Sequence, residues 1–187
     1  SQGGRIDVAF GAQLIAEGTD GSPVVFTSLN DIRYGAGGTF DTANRDGQSG
    51  GEASPGDWGG IYVGHTSSAS LDHAVMAFGG GTTRIQGGFA DFSVLEVHQS
   101  DVRLTRSRVE LNAGGSSMAT TEDRGGRGTN SEGAIFVRGA QPVIIDNVIR
   151  DNEAVAMTFN VSALNSNVVQ DSGRSRGFLE PLSEEIA

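Results

Sequence analysis

Four six-residue stretches align without gaps: Leu71-Asp72-His73-Ala74-Val75-Met76, Leu104-Thr105-Arg106-Ser107-Arg108-Val109, Ile144-Ile145-Asp146-Asn147-Val148-Ile149 and Leu164-Asn165-Ser166-Asn167-Val168-Val169. Their shared pattern is aliphatic, any, any, small-or-Asn, any, aliphatic. A second apolar burst lies nine or ten residues before each of the first three, at Ile61–Val63, Val94–Val97 and Ile135–Val137. The counterpart for the fourth falls within residues 155–159. Each burst is too short for a helix and rich in β-branched residues, so strands are expected. The repeat starts lie 33, 40 and 20 residues apart, and the shortest spacing is within the period range of solenoids.

One arrangement accounts for this pattern. In a parallel β-helix, coils of roughly 20 residues stack so that equivalent strands pair and inward aliphatics form continuous columns. The small-or-Asn column (Ala74, Ser107, Asn147, Asn167) is expected at a tight bend, where Asn tolerates a left-handed backbone and hydrogen-bonds along a ladder. A sandwich or jelly roll also uses short strands, but seldom yields an in-register repeat, and hairpin signals such as Asn-Gly are absent. Working outward to the chain start, Ile6, Val8 and Phe10 alternate as a further strand.

The longer spacings read as the same coil carrying insertions, at residues 30–57, 79–91 and 112–132. Each begins after a closing aliphatic strand and ends before the next Ile/Val strand. All three should therefore leave from one corner of successive coils. Loops of this length are commonly functional or disordered.

Composition fits a thin, regular core. The 187 residues include 29 Gly, 36% hydrophobic and 6% aromatic residues, with a formal charge of −10. That charge argues against a nucleic-acid backbone as partner. No apolar run reaches the length of a membrane helix, so direct membrane insertion is not expected. The chain has no Cys, which excludes disulfides and thiolate chemistry. All 13 basic residues are Arg, which removes Schiff-base and lysine-base mechanisms. The first four residues form neither a signal peptide nor an initiator start. The expectation is a fold over residues 1–177 followed by an acidic tail at 178–187, the whole being a processed piece of a longer parent chain.

The stretches Gly11–Gly18, Pro23–Leu29, Pro55-Gly56-Asp57-Trp58-Gly59-Gly60-Ile61, Ser70–Val75 and Gly139–Asn147 resemble a recurrent module of bacterial secreted and cell-surface proteins, the right-handed parallel β-helix repeat. The likeness extends to about Gly173. It implies an all-β, right-handed parallel β-helix of about five to six coils. It also implies a place in a large exported protein, with roles in adhesion, surface structure or carbohydrate contact.

The sharpest candidate for chemistry is Asp41, Asn44, Asp46 and Glu52. Oxygen ligands at alternating positions, a Gly and a later carboxylate wrap a hard cation such as calcium. Ala43 breaks the tighter spacing of related loops, and a solvated Asp/Asn/Gly turn is the alternative. Trp58, Tyr34 and Tyr62 could stack on a sugar face, although Trp58 also suits packing at the base of the first insertion. Asp72 and Asp146 lie near the repeat strands but at offsets differing by one, so they need not share a column. Arg103, Arg106 and Arg108 are the available partners for lyase chemistry; otherwise they form a solvated outer strand face. His65, His73 and His98 show no metal spacing and read as surface residues. Adjacent Asp72 and His73 are expected on opposite faces of one strand.

The sequence thus points to a non-enzymatic structural or adhesive module that binds carbohydrate or protein at the loop corner, with calcium as the one candidate cofactor. It would be secreted, at the cell surface or in the envelope. The alternatives are a pectate-lyase-type enzyme acting on acidic polysaccharide, or a subunit that assembles through solenoid ends and edges.

Overall fold

A computed structural model describes residues 4–31, 33–34, 52–85, 88–115 and 132–160. These residues are all-β with no helix. The strands are β1 (Arg5–Val8), β2 (Gln13–Glu17), β3 (Val24–Phe26), β4 (Gly60–Val63), β5 (Ser68–Asp72), β6 (Ala74–Ala77), β7 (Thr82–Ile85), β8 (Gly88–Asp91), β9 (Leu95–His98), β10 (Asp101–Thr105), β11 (Arg108–Glu110), β12 (Ile135–Arg138), β13 (Val143–Ile145), β14 (Val148–Arg150) and β15 (Met157–Asn160). They form three parallel sheets, ordered β1-β4-β9-β12-β15, β2-β5-β10-β13 and β3-β6-β11-β14, plus the hairpin β7-β8. For brevity these are sheets I, II and III. Each passage of the chain lays one strand in sheet I, then II, then III, so strands stack in chain order. This is the arrangement expected of a parallel β-solenoid.

The register matches the repeat. Leu104 pairs with Leu71 on one side and Ile144 on the other, and Val109 likewise joins Met76 to Ile149. Ala16 and Phe26 extend the two columns into the first passage. In sheet I, Ile6, Ile61, Leu95, Ile135 and Met157 are successive partners. These inward columns make one core, in which Leu71, Leu95, Leu104 and Ile135 are wholly buried. Each such side chain contributes about 1.5–3 kcal/mol through burial. Without an insertion the passage is 22 residues long, from Ile135 to its partner Met157. Phe10 is not part of β1: it lies in the following turn, 79% exposed. The fourth repeat, from Leu164, and the acidic tail lie outside the described residues.

The corners correct one expectation. The small-or-Asn residues do not themselves carry the left-handed backbone; the residue before each does. At the corner between sheets II and III these are His73 (φ 47°), Arg106 (47°) and Asp146 (57°). The same device recurs between sheets III and I at Phe78 (57°), Leu111 (60°) and Asp151 (53°). Between sheets I and II it is Gly11 (69°), Thr66 (56°), Gln99 (49°) and Gly139 (61°). One αL residue reverses the chain direction in the least length. The next residue then begins the following strand or points along the stack.

The ladder expectation holds. Ala74 N–H donates to Ser107 Oγ at 2.9 Å, Ser107 N–H donates to Asn147 Oδ1 at 2.9 Å, and Asn147 Nδ2 donates to the Leu104 carbonyl at 2.8 Å. A second ladder, of Gly79, Asn112 and Asn152, runs along the corner between sheets III and I.

The αL corners suggest a stabilising change. Thr66 is exposed, β-branched and held at φ 56°, where the equivalent positions in the first and fourth passages are Gly11 and Gly139. Thr66→Gly is expected to stabilise by about 1 kcal/mol, because a β-branched residue is strained in αL. Thr66→Ala, which keeps a Cβ, should gain much less. Denaturant midpoints of the two variants check this.

All three insertions connect sheet III back to sheet I, as expected. The second contains the hairpin β7-β8, with Ile85 opposite Gly88, although no Asn-Gly signal marks it. Gln86-Gly87 is the linking pair in sequence, a weaker signal that composition alone does not separate from a loop.

Candidate functional site

Sheet II presents outward side chains in three rows that follow the strand register. The first row is Gln13, Ser68 and Asp101, continued by Gln141 two residues before β13's Val143, the second Ile15, Ser70, Arg103 and Val143, and the third Glu17, Asp72, Thr105 and Ile145. The second and third rows are tied together. Ser70 Oγ donates to Glu17 at 2.5 Å and accepts from Arg103 Nε at 3.3 Å. Asp72 accepts from Thr105 Oγ1 at 2.8 Å and Arg106 Nη2 at 2.5 Å, with Arg103 Nη2 3.7 Å away. The hydrogen bond from Arg106 is the largest influence on Asp72; it outweighs burial and, with Thr105, moves the carboxyl from 3.8 to about 2. The same contact raises Arg106 above its ordinary value.

This fixes the sign of an acid effect. A carboxyl depressed in the folded state stabilises the fold above its unfolded value, and that contribution fades as pH falls toward the folded value. The wild type should therefore lose stability between pH 3.8 and about 2. Asp72→Asn should show a shallower decline across that window, as read from denaturant midpoints. Arg106 is half exposed, so solvent screens the pair and the difference should be modest.

Asp72 and Asp146 do not share a row: Asp72 ends β5, whereas Asp146 is an αL corner residue. Arg103, facing out from sheet II, and Arg106, at the corner, both approach Asp72 Oδ2, whereas Arg108 lies apart on sheet III and donates to Tyr34 Oη at 3.0 Å. The expectation for His73 fails. Its αL backbone ends the strand alternation and leaves Nδ1 3.4 Å from Asp72, with Nε2 3.2 Å from Asp20.

The insertion corner holds a cleft of about 490 Å³, lined by Pro55, Gly81, Ala113, Asp91, Glu132 and Glu153 among others. Backbones approach closely here: a Cβ on Gly81 would lie 1.9 Å from the Gly56 carbonyl oxygen. Of the predicted calcium ligands, Asp41, Asn44 and Asp46 lie outside the described residues. Glu52 is exposed, and its carbonyl accepts from Ser54 Oγ at 3.5 Å. Among the described residues no group of three or more His, Cys, Asp or Glu is placed to hold a metal.

The three aromatics are not brought into one platform. Trp58 packs against the core at the base of the first insertion and donates from Nε1 to the Ala77 carbonyl at 2.8 Å. Tyr34 packs on the outside of sheet III with Val75, Ala77 and Phe78, and the Arg33 guanidinium lies 5.2 Å from its ring. Arg33 also clamps the insertion to the sheet. It donates to Asp31 at 2.9 Å and to buried Glu110 at 3.0 Å, and Glu110 accepts in turn from Arg150. Burial alone would raise the Asp31 pKa, but hydrogen bonds from Arg33 and Thr27 hold it below the usual range.

Tyr62 lies on the outer face of sheet I, 4.8 Å from the His98 ring and 5.0 Å from the Arg5 guanidinium. His98 is buried rather than on the surface. Its Nε2 sits 2.8 Å from Glu96, a fully buried carboxylate that also accepts from Ser93 N–H at 3.1 Å. Strand alternation placed both side chains outward, and no local pattern announces that this outer face is covered. His65 is exposed beside Phe10, as expected.

The polar row Gln13, Ser68, Asp101 and Gln141 escaped the sequence reading, because isolated polar residues on outward positions carry no signature until the register aligns them. No protein-family model matches the chain, and no curated protein or solved structure is significantly similar to it.

Proposed function

We propose that the chain is a right-handed parallel β-helix acting as a non-enzymatic structural or adhesive module of a secreted or surface-exposed bacterial protein. It meets carbohydrate or protein through residues 30–57, 79–91 and 112–132, and calcium stiffens the first of these. One observation carries the reading: every insertion joins sheet III to sheet I, so the stack gathers all three long connections on one corner. Binding loops held on a regular scaffold are a common way to build a recognition surface. Four carboxylates of the described sheets also support it. Glu17, Asp72, Glu96 and Glu110 are each engaged by neighbouring side chains.

The pectate-lyase-type alternative draws less support. A glycosidic acid needs a raised pKa, whereas Asp72 is held at about 2. A lyase base would have to be a neutral guanidine, whereas Arg106 is shifted further toward its charged form. The assembly alternative draws on Phe10, Ile15 and Leu29, which are 79%, 63% and 75% exposed around the first passage.

Solid-phase binding of the full chain to a panel of extracellular glycans and matrix proteins tests the proposal. Shortening residues 116–131 to a Gly-Ser link should abolish binding to at least one member of the panel and leave the melting temperature within a few degrees. Unchanged binding to every member would overturn the corner as the contact surface. Release of reducing or unsaturated ends from polygalacturonate would overturn the non-enzymatic reading. For calcium, millimolar addition should raise the melting temperature, and Asp46→Ala should remove that response.

A further inference from the structure

The outer face of sheet II is not uniform. Its second and third rows are cross-linked, as described above. The first row differs: the side chains of Gln13, Ser68, Asp101 and Gln141 make no hydrogen bond or ion pair within the described residues. All but Ser68 are exposed. Beside this row lies a groove of about 310 Å³ that crosses all four strands, from Gln13 on β2 to Gln141 and Val143 beside and on β13. It exists because β5 offers only Ser68 and Ser70, while its neighbours carry the longer Gln13, Asp101 and Arg103.

We propose that this groove binds an extended, uncharged, hydroxyl-rich glycan running along the stack. The row supplies two amides, a hydroxyl and a carboxylate. Amides and hydroxyls both donate and accept, and the carboxylate accepts strongly, which suits sugar hydroxyls that also do both. Strands repeat at about 4.8 Å, so four of them offer polar contacts over about 14 Å. That length fits an oligosaccharide rather than one sugar. Val143, 48% exposed, gives an apolar flank at the far end.

Charge selects against acidic polymers. Asp101 is an open carboxylate on a chain of net charge −10. Arg103, the cation that lines the groove, is turned toward Ser70, Glu17 and Asp72. A polyuronate would therefore meet repulsion without a free guanidinium to offset it. This site is on a different face from the insertion corner, and either can fail without the other.

Affinity electrophoresis of the full chain through gels containing hydroxyethyl cellulose, arabinoxylan or galactomannan, with polygalacturonate alongside, tests the inference. Retardation by at least one neutral polymer is expected. Asp101→Ala and Gln141→Ala should each weaken it about five- to tenfold. Ser68→Gln, which fills the groove floor, should weaken it as well. Val148→Ala, on the outer face of sheet III, should leave it unchanged. All four positions are at the surface, and matching melting curves would separate lost binding from lost folding. Any of three results overturns the proposal: no retardation by the three neutral polymers, stronger retardation by polygalacturonate, or row variants that bind as the wild type does.

Discussion

Leu104→Ala is expected to destabilise the protein by about 3–4 kcal/mol, near the middle of the range for buried Leu-to-Ala changes. Leu104 is wholly buried and sits between Leu71 and Ile144 in an inward column. A cavity there cannot close by moving one element. The strands on either side are hydrogen-bonded to β10 in fixed register, so their spacing is set by the ladder rather than by side-chain size. The melting temperature should fall by roughly 6–16 °C for a chain of this length. Ile145→Ala, one residue beyond Leu104's partner Ile144 and 53% exposed, is the contrast, with an expected change within about 0.5 kcal/mol. Similar losses for the two would mean that the column does not carry the core.

The second large effect is expected at Asn112, which is fully buried and makes contacts in two passages. Its Oδ1 accepts from Gly79 N–H at 2.7 Å. Its Nδ2 donates to the Met76 carbonyl at 3.1 Å and to Asn152 Oδ1 at 2.9 Å. Asn112→Ala leaves a backbone donor and a backbone acceptor unsatisfied in the interior, each at about 1–3 kcal/mol. A total near 3 kcal/mol follows, with a clear drop in denaturant midpoint. Hydrogen exchange gives a local check: the Gly79 amide should lose protection before the amides of β5 do. Asn112→Asp keeps the acceptor but loses the donor and buries a charge, so it should be no milder. Unchanged Gly79 exchange in Asn112→Ala would show that the ladder is not what holds this corner.

Most of the strand order was legible because the repeat is a register. Leu71, Leu104 and Ile144 were aligned by pattern alone, and they are direct partners across β5, β10 and β13. A solenoid makes this possible, since residues at equal offsets in successive passages must stack and so must be alike. The bend was misplaced by one residue for a physical reason. The αL residues of this corner, His73, Arg106 and Asp146, share no chemistry and so leave no column in the sequence. The neighbouring column is selected for laddering and therefore shows in sequence. The Asn112–Asn152 ladder is not legible in the repeat because Gly79, Asn112 and Asn152 lie three residues beyond its closing aliphatics.

Candidate sites were much less legible. Trp58 was correctly suspected of packing beneath the first insertion, where its indole N–H meets the Ala77 carbonyl. His98 was misread, because alternation tells which way a side chain points and not whether something covers it. The open row on sheet II could not be found at all, since its members lie on different passages. Whether a polar residue there is already satisfied depends on neighbours tens of residues away.

By itself, the sequence determined the all-β character, the in-register columns and the single corner from which the insertions leave. Those follow from short-range alternation and from a repeat that stacking requires. Tertiary structure alone decided which polar groups are consumed and which remain open. It pairs Asp72 with Arg106, buries Glu96 with His98, and leaves Asp101 free beside a groove. Hydrogen bonding and burial are properties of atoms brought together across passages, and no local pattern of residues encodes them.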